Sequence, residues 1–449
     1  MSNLRLVVLA VVAVALCSNV TAQQPPGPSS HSSALPISGA LDATTLWSAE
    51  GPTYGDYLGS AIAHLPDLNG DGLAELLVGA PNRQPWGSGT EGHAFVFSGA
   101  DGAVLRVHGG WNDGDRLGHS VAALPDLDGD GVADYGAGAI WALNLDAPHG
   151  PELPGRAAAW SGATGLPLLD VGGQGKWECF GAAMAGLGDI DHDGVADLLI
   201  TAQFGGAPEG DATLAPGHVR LVSGATGATL VQVEGEFPGD RLGWSAVALP
   251  DLNGDALPDV AAAAWQWPAG AARGEVLILS GADGAVLTHF EGIEHSEAFG
   301  LALAALPDID GDGLADLAIG APGSQADRGR VAIVSPATGQ TLATIAGLEP
   351  GERFGSSLAP IGDRTGDGVT ELAVGAPKWA LSSGRVLIVS PASGKFVGSV
   401  SGVLPSGRFG AALDAVPDLD GDGHDELAIG APTAPSPKGY GQVFVVTLK

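Results

Sequence analysis

The chain has 449 residues, of which 72 are glycine and 31 proline, with no three-residue glycine period, so a collagen-like fold is excluded. A 45% hydrophobic content excludes wholesale disorder. The 51 acidic against 19 basic side chains give a formal charge of −32, which would repel a phosphate backbone, so no nucleic-acid partner is expected. Two cysteines cannot build a disulfide scaffold or a cysteine-ligated metal cluster.

At the N-terminus, Arg5 precedes an apolar run from Leu6 to Cys17, the length of a signal-peptide core and short for a membrane span. Small and polar residues follow, with a cleavage position after Ala22. Residues 1–22 are therefore read as a signal peptide, and the mature chain as secreted, either extracellular or in a periplasmic or envelope compartment. Leu16 before Cys17 argues against a lipid-attachment site. Residues 23–36, rich in Pro, Ser and Gln, read as a flexible leader. Cleavage leaves Cys179 as the sole cysteine, which is tolerable in an oxidising compartment if it is buried. No later segment resembles a membrane span.

From residue 37 to 449 the chain reads as one domain made of a single repeat used seven times. The pattern Asp-x-Asp/Asn-Gly-Asp-Gly-x-x-Asp/Glu recurs, with single substitutions, from Asp67, Asp126, Asp189, Asp251, Asp308, Asp363 and Asp418. A glycine stands eight residues before each: Gly59, Gly118, Gly181, Gly243, Gly300, Gly355 and Gly410. Phe or Leu precedes every one of these glycines. Each period also carries four short apolar stretches separated by Gly and Asp turns, and none has room for a long amphipathic helix. A lone four-stranded unit cannot bury both of its faces, whereas seven arranged radially can. The predicted fold is therefore an all-β, seven-bladed β-propeller. Gly441 to Val446 supplies a third strand with no fourth after it, and Leu41 to Trp47 reads as an orphan fourth strand. The N-terminal strand is thus expected to complete the last blade and close the ring.

The repeated loops concentrate oxygen ligands at positions 1, 3, 5 and 9, with a main-chain carbonyl on offer at position 7, and this suits a hard cation such as Ca²⁺ better than Mg²⁺. The predicted ligand sets, up to seven structural Ca²⁺ sites in all, are Asp67, Asn69, Asp71, Leu73 and Glu75; Asp126, Asp128, Asp130, Val132 and Asp134; Asp189, Asp191, Asp193, Val195 and Asp197; Asp251, Asn253, Asp255, Leu257 and Asp259; Asp308, Asp310, Asp312, Leu314 and Asp316; Asp363, Thr365, Asp367, Val369 and Glu371; and Asp418, Asp420, Asp422, His424 and Glu426. Together their acids are 25 of the 51 in the chain. Without a cation, like charges so close would repel. Individual loops differ in quality: His192 and Ala256 replace glycines, and Thr365 replaces an acid.

These motifs resemble the FG-GAP repeat family, the propeller of integrin alpha chains. Phe299-Gly300 pairs with Gly320-Ala321-Pro322, Phe354-Gly355 with Gly375-Ala376-Pro377, Phe409-Gly410 with Gly430-Ala431-Pro432, and Leu58-Gly59 with Gly79-Ala80-Pro81. Repeats two to four read Gly136-Ala137-Gly138, Thr201-Ala202-Gln203 and Ala262-Ala263-Ala264 at the corresponding place. The resemblance implies calcium loops between the first and second strands of each blade. It also implies a ligand-binding face on the opposite side, made by the second-to-third loops and the blade-to-blade connections.

No nucleophile elbow, zinc-helix motif or phosphate loop appears at a working spacing. The functional expectation is a binding, adhesion or envelope-structural module for a protein or glycan ligand. The alternative is an extracellular polysaccharide lyase or hydrolase that uses calcium structurally. Trp86, Trp141, Trp265 and Trp267 fall in or beside second-to-third connections and are the candidate ligand-face residues. Trp111 and Trp177 precede the next repeat. Such rings either cover blade interfaces or stack on a ligand.

Overall fold

The computed structural model describes residues 29–30, 43–83, 91–141, 154–206, 215–266, 273–435 and 439–449. The signal segment, most of the leader, Trp86 and Trp267 lie outside the described residues. Blade 5 shows how one repeat folds. Its four antiparallel strands are Ala302–Leu306, Asp316–Ala321, Arg330–Ser335 and Gln340–Ala346, hydrogen-bonded in that order. Six blades follow this order. The seventh takes three strands from the C-terminal repeat, Ala412–Val416, Glu426–Ala431 and Gln442–Leu448, and its fourth, Ala43–Glu50, from the start of the domain. The structure is therefore a seven-bladed β-propeller closed by its N-terminal strand. Ala43 pairs with Leu448 and Glu50 with Gln442. Ser29 and Ser30 of the leader pair in turn with Glu50 and Ala49.

Burial follows position in the blade. Second strands such as Glu75–Ala80 and Asp316–Ala321 are buried along their whole length, because neighbouring blades cover both faces. Fourth strands lie outermost and are partly exposed. First strands lie innermost and together line a central channel of about 290 Å³, with Ile62, Val121, Ala183, Ala246, Leu303, Ser357 and Leu413 contributed by successive blades. Apolar clusters fill the wedges between blades. One of them joins Val416, Ala428, Val443 and Val445 of blade 7 to Trp47, Leu76, Val78 and Phe95.

The glycine spacing has a packing cause. The first glycine of each Gly-Ala-Pro lies against the glycine of the Phe/Leu-Gly pair in the next blade. A Cβ on Gly320 would stand 2.1 Å from the Gly355 carbonyl oxygen, one on Gly375 2.1 Å from that of Gly410, and one on Gly430 2.1 Å from that of Gly59. Blades meet here backbone to backbone. The same contact corrects the alignment of the divergent repeats. In blade 2 the residue against Gly181 is Gly138, so the counterpart of Gly-Ala-Pro is Gly138-Ala139-Ile140 and does not start at Gly136. In blade 4 Ala263 stands against Gly300, so the counterpart starts there and not at Ala262.

Candidate metal centres and the opposite loop face

Each acidic loop bridges the first and second strands at one end of its blade. Asp308 organises the loop of blade 5: Oδ1 accepts the N–H of Gly311 at 2.6 Å and Oδ2 that of Gly313 at 2.8 Å. Asp310 accepts from the N–H of Asp312 and Asp312 from that of Leu314, each with a single carboxylate oxygen. The tight turn needs left-handed backbone at Gly311 and Gly313, φ +84° and +88°. Where the sequence substitutes these glycines the backbone keeps its course, with His192 at φ 62° and Ala256 at φ 69°.

The ninth-position acid opens the second strand and is buried, unlike the rest of the loop. It always accepts the N–H of the second loop residue: Glu75 from Leu68, Asp134 from Leu127, Asp316 from Ile309, each at 2.7 Å. The other oxygen differs between blades. In blades 2, 3 and 4 it accepts the N–H of Gly162, Gly224 or Gly281 from the turn joining strands three and four. In blades 1, 5 and 7 it is buried without a donor: Glu75 Oε1, Asp316 Oδ1 and Glu426 Oε1. In blade 6 the Thr365 hydroxyl donates to Glu371 Oε1 at 3.3 Å, so the substitution at position 3 satisfies this oxygen internally.

Side-chain oxygens of three or more loop acids lie within 4.8 Å of one another in blades 1, 2, 3, 5 and 7, with Asp418, Asp420, Asp422 and Glu426 forming a four-carboxylate group. The two kinds of acid titrate in opposite directions. Main-chain N–H donors hold Asp67, Asp126, Asp251, Asp308 and Asp363 below the usual carboxylate range. Burial pushes Glu75 and Glu426 up to about 7 and Asp316 to about 6, with the neighbouring loop acids adding to the rise. A buried, partnerless carboxylate oxygen beside several exposed carboxylates is an arrangement that a divalent cation completes. The donor chemistry thus fits calcium in most loops, and fits it least in blade 6.

Antiparallel strands put the second-to-third loops and the blade-to-blade connections at the other end of the blades. An acid three residues before each Phe/Leu-Gly glycine organises six of these connections: Asp56, Asp115, Glu178, Asp240, Glu297 and Glu352 are all buried. Asp115 takes the N–H groups of Trp111, Asn112, Gly92 and Leu117, and Asp240 takes that of Phe237. Sequence reasoning missed them, although their fixed offset from the glycine was a readable signal. Blade 7 has Gly407 at this place.

On this face Trp141 is half-buried beneath the Arg116 guanidinium, whose Cζ lies 3.4 Å from the ring centroid. Cys179 is buried beside it, and its thiol is pushed up to about 11. Trp265 is also half-buried, packs on Trp244 with centroids 5.2 Å apart, and leaves its buried Nε1 without a partner. Trp111 and Trp177 are more open, at 39% and 51% exposure. Of the four candidate tryptophans, Trp141 and Trp265 are thus half-buried, and Trp86 and Trp267 lie outside the described residues.

Seven blades around a channel, with an acidic oxygen-donor loop at one end of each blade and connecting loops at the other, define a β-propeller of repeated acidic-loop units. The FG-GAP repeat family model matches residues 58–97, 299–334 and 409–446. These are the three blades whose ninth-position acid keeps a partnerless oxygen. The chain is 36% identical to integrin alpha-IIb of Mus musculus over 43% of its own length and 20% of that protein. It is 29% identical to integrin alpha-V of Gallus gallus, again over 43% of this chain and 20% of the other. It thus spans about a fifth of the length of these relatives. A crystal structure of BBS1N in complex with ARL6DN, soaked with lead, contains a chain of the same fold, with a TM-score of 0.53 and 11% identity over 88% of this chain and 93% of that one. The protein is a seven-bladed β-propeller whose repeats are similar to the FG-GAP repeats of integrin alpha chains.

Proposed function

We propose that this protein is a secreted, calcium-stabilised binding module whose connecting-loop face recognises an extracellular or envelope protein or glycan. The observation that carries the reading is the division of labour between the two ends of the blades. One end spends its loops on clustered carboxylates, three of which bury an oxygen with no donor. The other presents longer connections with partly exposed aromatic rings. Calcium would be held in blade 5 by Asp308, Asp310, Asp312, the Leu314 carbonyl and Asp316, and by the equivalent residues elsewhere. Its charge would cancel the repulsion among loop acids and tie the first strand to the second. The integrin alpha similarity supports a binding or adhesion role. No helix among the described residues is long and apolar enough to cross a membrane.

The test uses the full mature chain. Calcium titration by calorimetry should show several sites, and immobilised protein should capture a partner from the native extracellular or envelope fraction only with calcium present. Trp111→Ala/Trp177→Ala should weaken capture while leaving the melting temperature in calcium unchanged. Capture that is insensitive both to calcium and to every loop-face substitution would overturn the reading.

A further inference from the structure

We propose that the mouth of the central channel on the connecting-loop face binds the repeated anionic groups of an acidic polysaccharide through an arc of Arg408, Arg83, Arg116 and Arg241. The proposal rests on the reading of that face as the binding surface and names the ligand chemistry it fits.

Position comes first. Arg116, Arg241 and Arg408 occupy the same place in their repeats, directly before the Leu/Phe-Gly pair that leads into an innermost strand. All three have left-handed backbone, φ 62°, 60° and 57°. Arg83 follows the Gly-Ala-Pro of blade 1, and its N–H is held by the Gly55 carbonyl at 3.0 Å. The four therefore lie at the connecting-loop end of the propeller, and His119 and Trp244, three residues after Arg116 and Arg241, line the channel. Blade 6 also has an arginine at the repeated position, but Asp327 neutralises Arg353 at 3.1 Å. The positive charge is thus an arc over blades 7, 1, 2 and 4 rather than a full ring.

The chain carries a net charge of −32. Among the described residues no carboxylate lies within ion-pair distance of Arg83, Arg116, Arg241 or Arg408, whereas Arg330 is held by Glu297 at 3.0 Å and Arg385 by Glu352. The acids that precede them in sequence do not face them, because Asp115 and Asp240 are turned into the main chain of their own connections. Aromatic rings hold three of the four guanidinium groups instead. Arg116 lies over Trp141, Arg241 4.6 Å from the Phe204 centroid, and Arg83 5.3 Å from that of Tyr57. Stacking fixes the guanidinium plane and leaves its edge donors for an oxyanion. Burial lowers Arg83, Arg116 and Arg241, and repulsion adds to it, with Arg408 acting on Arg83 and Arg83 on Arg116. A bound anion relieves that repulsion.

The layout favours a polyanionic glycan over an acidic protein loop. The charges are spread along an arc and do not converge on one pocket, so the complementary ligand carries anionic groups at intervals. The exposed rings nearby, Trp111 and Trp177, stand singly, which suits stacking on sugar faces more than the clustered apolar anchor of a protein interface.

The experiment measures binding of a galacturonate hexamer, maltohexaose and hexaglutamate to the mature protein by calorimetry, in low free calcium and at two salt concentrations. The hexamer should bind, weaken strongly with salt, and lose at least tenfold in affinity in Arg116→Gln/Arg241→Gln; maltohexaose should not bind. Arg408→Gln, altering an exposed side chain, gives a second variant if the double one fails to fold, and should weaken binding severalfold. Equal hexamer affinity in a folded variant, no hexamer binding to wild type, or binding of hexaglutamate alone would each overturn the proposal. Calcium-dependent capture of a native partner that persists in those cases would leave the binding-module reading standing, so the two failures are distinguishable.

Discussion

Glu75 accepts the main-chain N–H of Leu68 at 2.7 Å with Oε2, while its Oε1, equally buried, has no donor. The carboxylate is thus locked into the loop by one oxygen, beside Asp67 and Asp71, and keeps the other buried without a donor. Glu426 in blade 7 and Asp316 in blade 5 repeat the arrangement.

The first prediction is that calcium couples to folding through these residues. At free calcium 100 times the dissociation constant, each occupied loop adds about 2.7 kcal/mol to the stability of the folded state. Thermal melts in calcium and in chelator should differ by well over 10 °C, and Glu75→Gln should remove one site from the calorimetric stoichiometry. An unchanged midpoint in chelator would defeat the coupling.

A second prediction concerns pH in the presence of chelator. Glu75, Glu426 and Asp316 are raised to about 7, 7 and 6, above their unfolded values, so the folded chain binds more protons than the unfolded chain between about pH 4.5 and 7. Stability in that window should fall as pH rises. Asp67 and Asp308 are depressed, so their contribution is present above their unfolded value and is lost only at lower pH, as they protonate. Chelated protein should melt highest near pH 5, whereas calcium-loaded protein should gain nothing from the same acidification, because protons then compete with the ion. Melting midpoints across pH 4 to 8 in both buffers check this.

The third prediction lies in backbone strain. Ala256 sits at φ 69° in the turn of blade 4 where the six other loops have glycine at φ 86–93°. A left-handed non-glycine costs about 1–2 kcal/mol, partly offset by the greater freedom of glycine in the unfolded chain. Ala256→Gly should therefore stabilise by about 0.5–1 kcal/mol in urea unfolding. A loss of stability would show that Ala256 makes packing contacts that outweigh its strain.

Fourth, the blade seams do not tolerate a Cβ. Gly320→Ala places a methyl group 2.1 Å from the Gly355 carbonyl oxygen, a backbone atom that moves only with its blade. The expected cost is about 1–3 kcal/mol or more, read as a lower urea midpoint at unchanged slope.

The fifth prediction tests closure of the ring. Trp47 on the N-terminal strand is 3% exposed and donates its indole N–H to the Gly99 carbonyl at 2.7 Å, tying blade 7 to blade 1. Trp47→Ala should cost about 3–5 kcal/mol and increase proteolysis at the N-terminal strand. Resistance equal to that of wild type would mean that backbone pairing alone holds the seam.

The sequence by itself determined the blade count, the closure by an N-terminal strand (read as 41–47 and found at 43–50) and the place of the acidic loops. These are periodic, local signals, and each repeat must satisfy its own turns and hydrogen bonds. Only the tertiary structure decided which atoms meet between repeats. It placed Gly138 and Ala263 against the glycine of the next blade, the register that the twelve-residue offset from Asp126 and Asp251 also gives. It turned Trp141 and Trp265 partly inward against Arg116 and Trp244, since ring burial depends on neighbours more than 20 residues away. It also showed that the ninth-position oxygens of blades 2 to 4 find a glycine N–H across the blade while that of blade 1 finds none; in blade 5 Pro336, which has no N–H, stands at the place of that glycine, a difference already legible in the sequence.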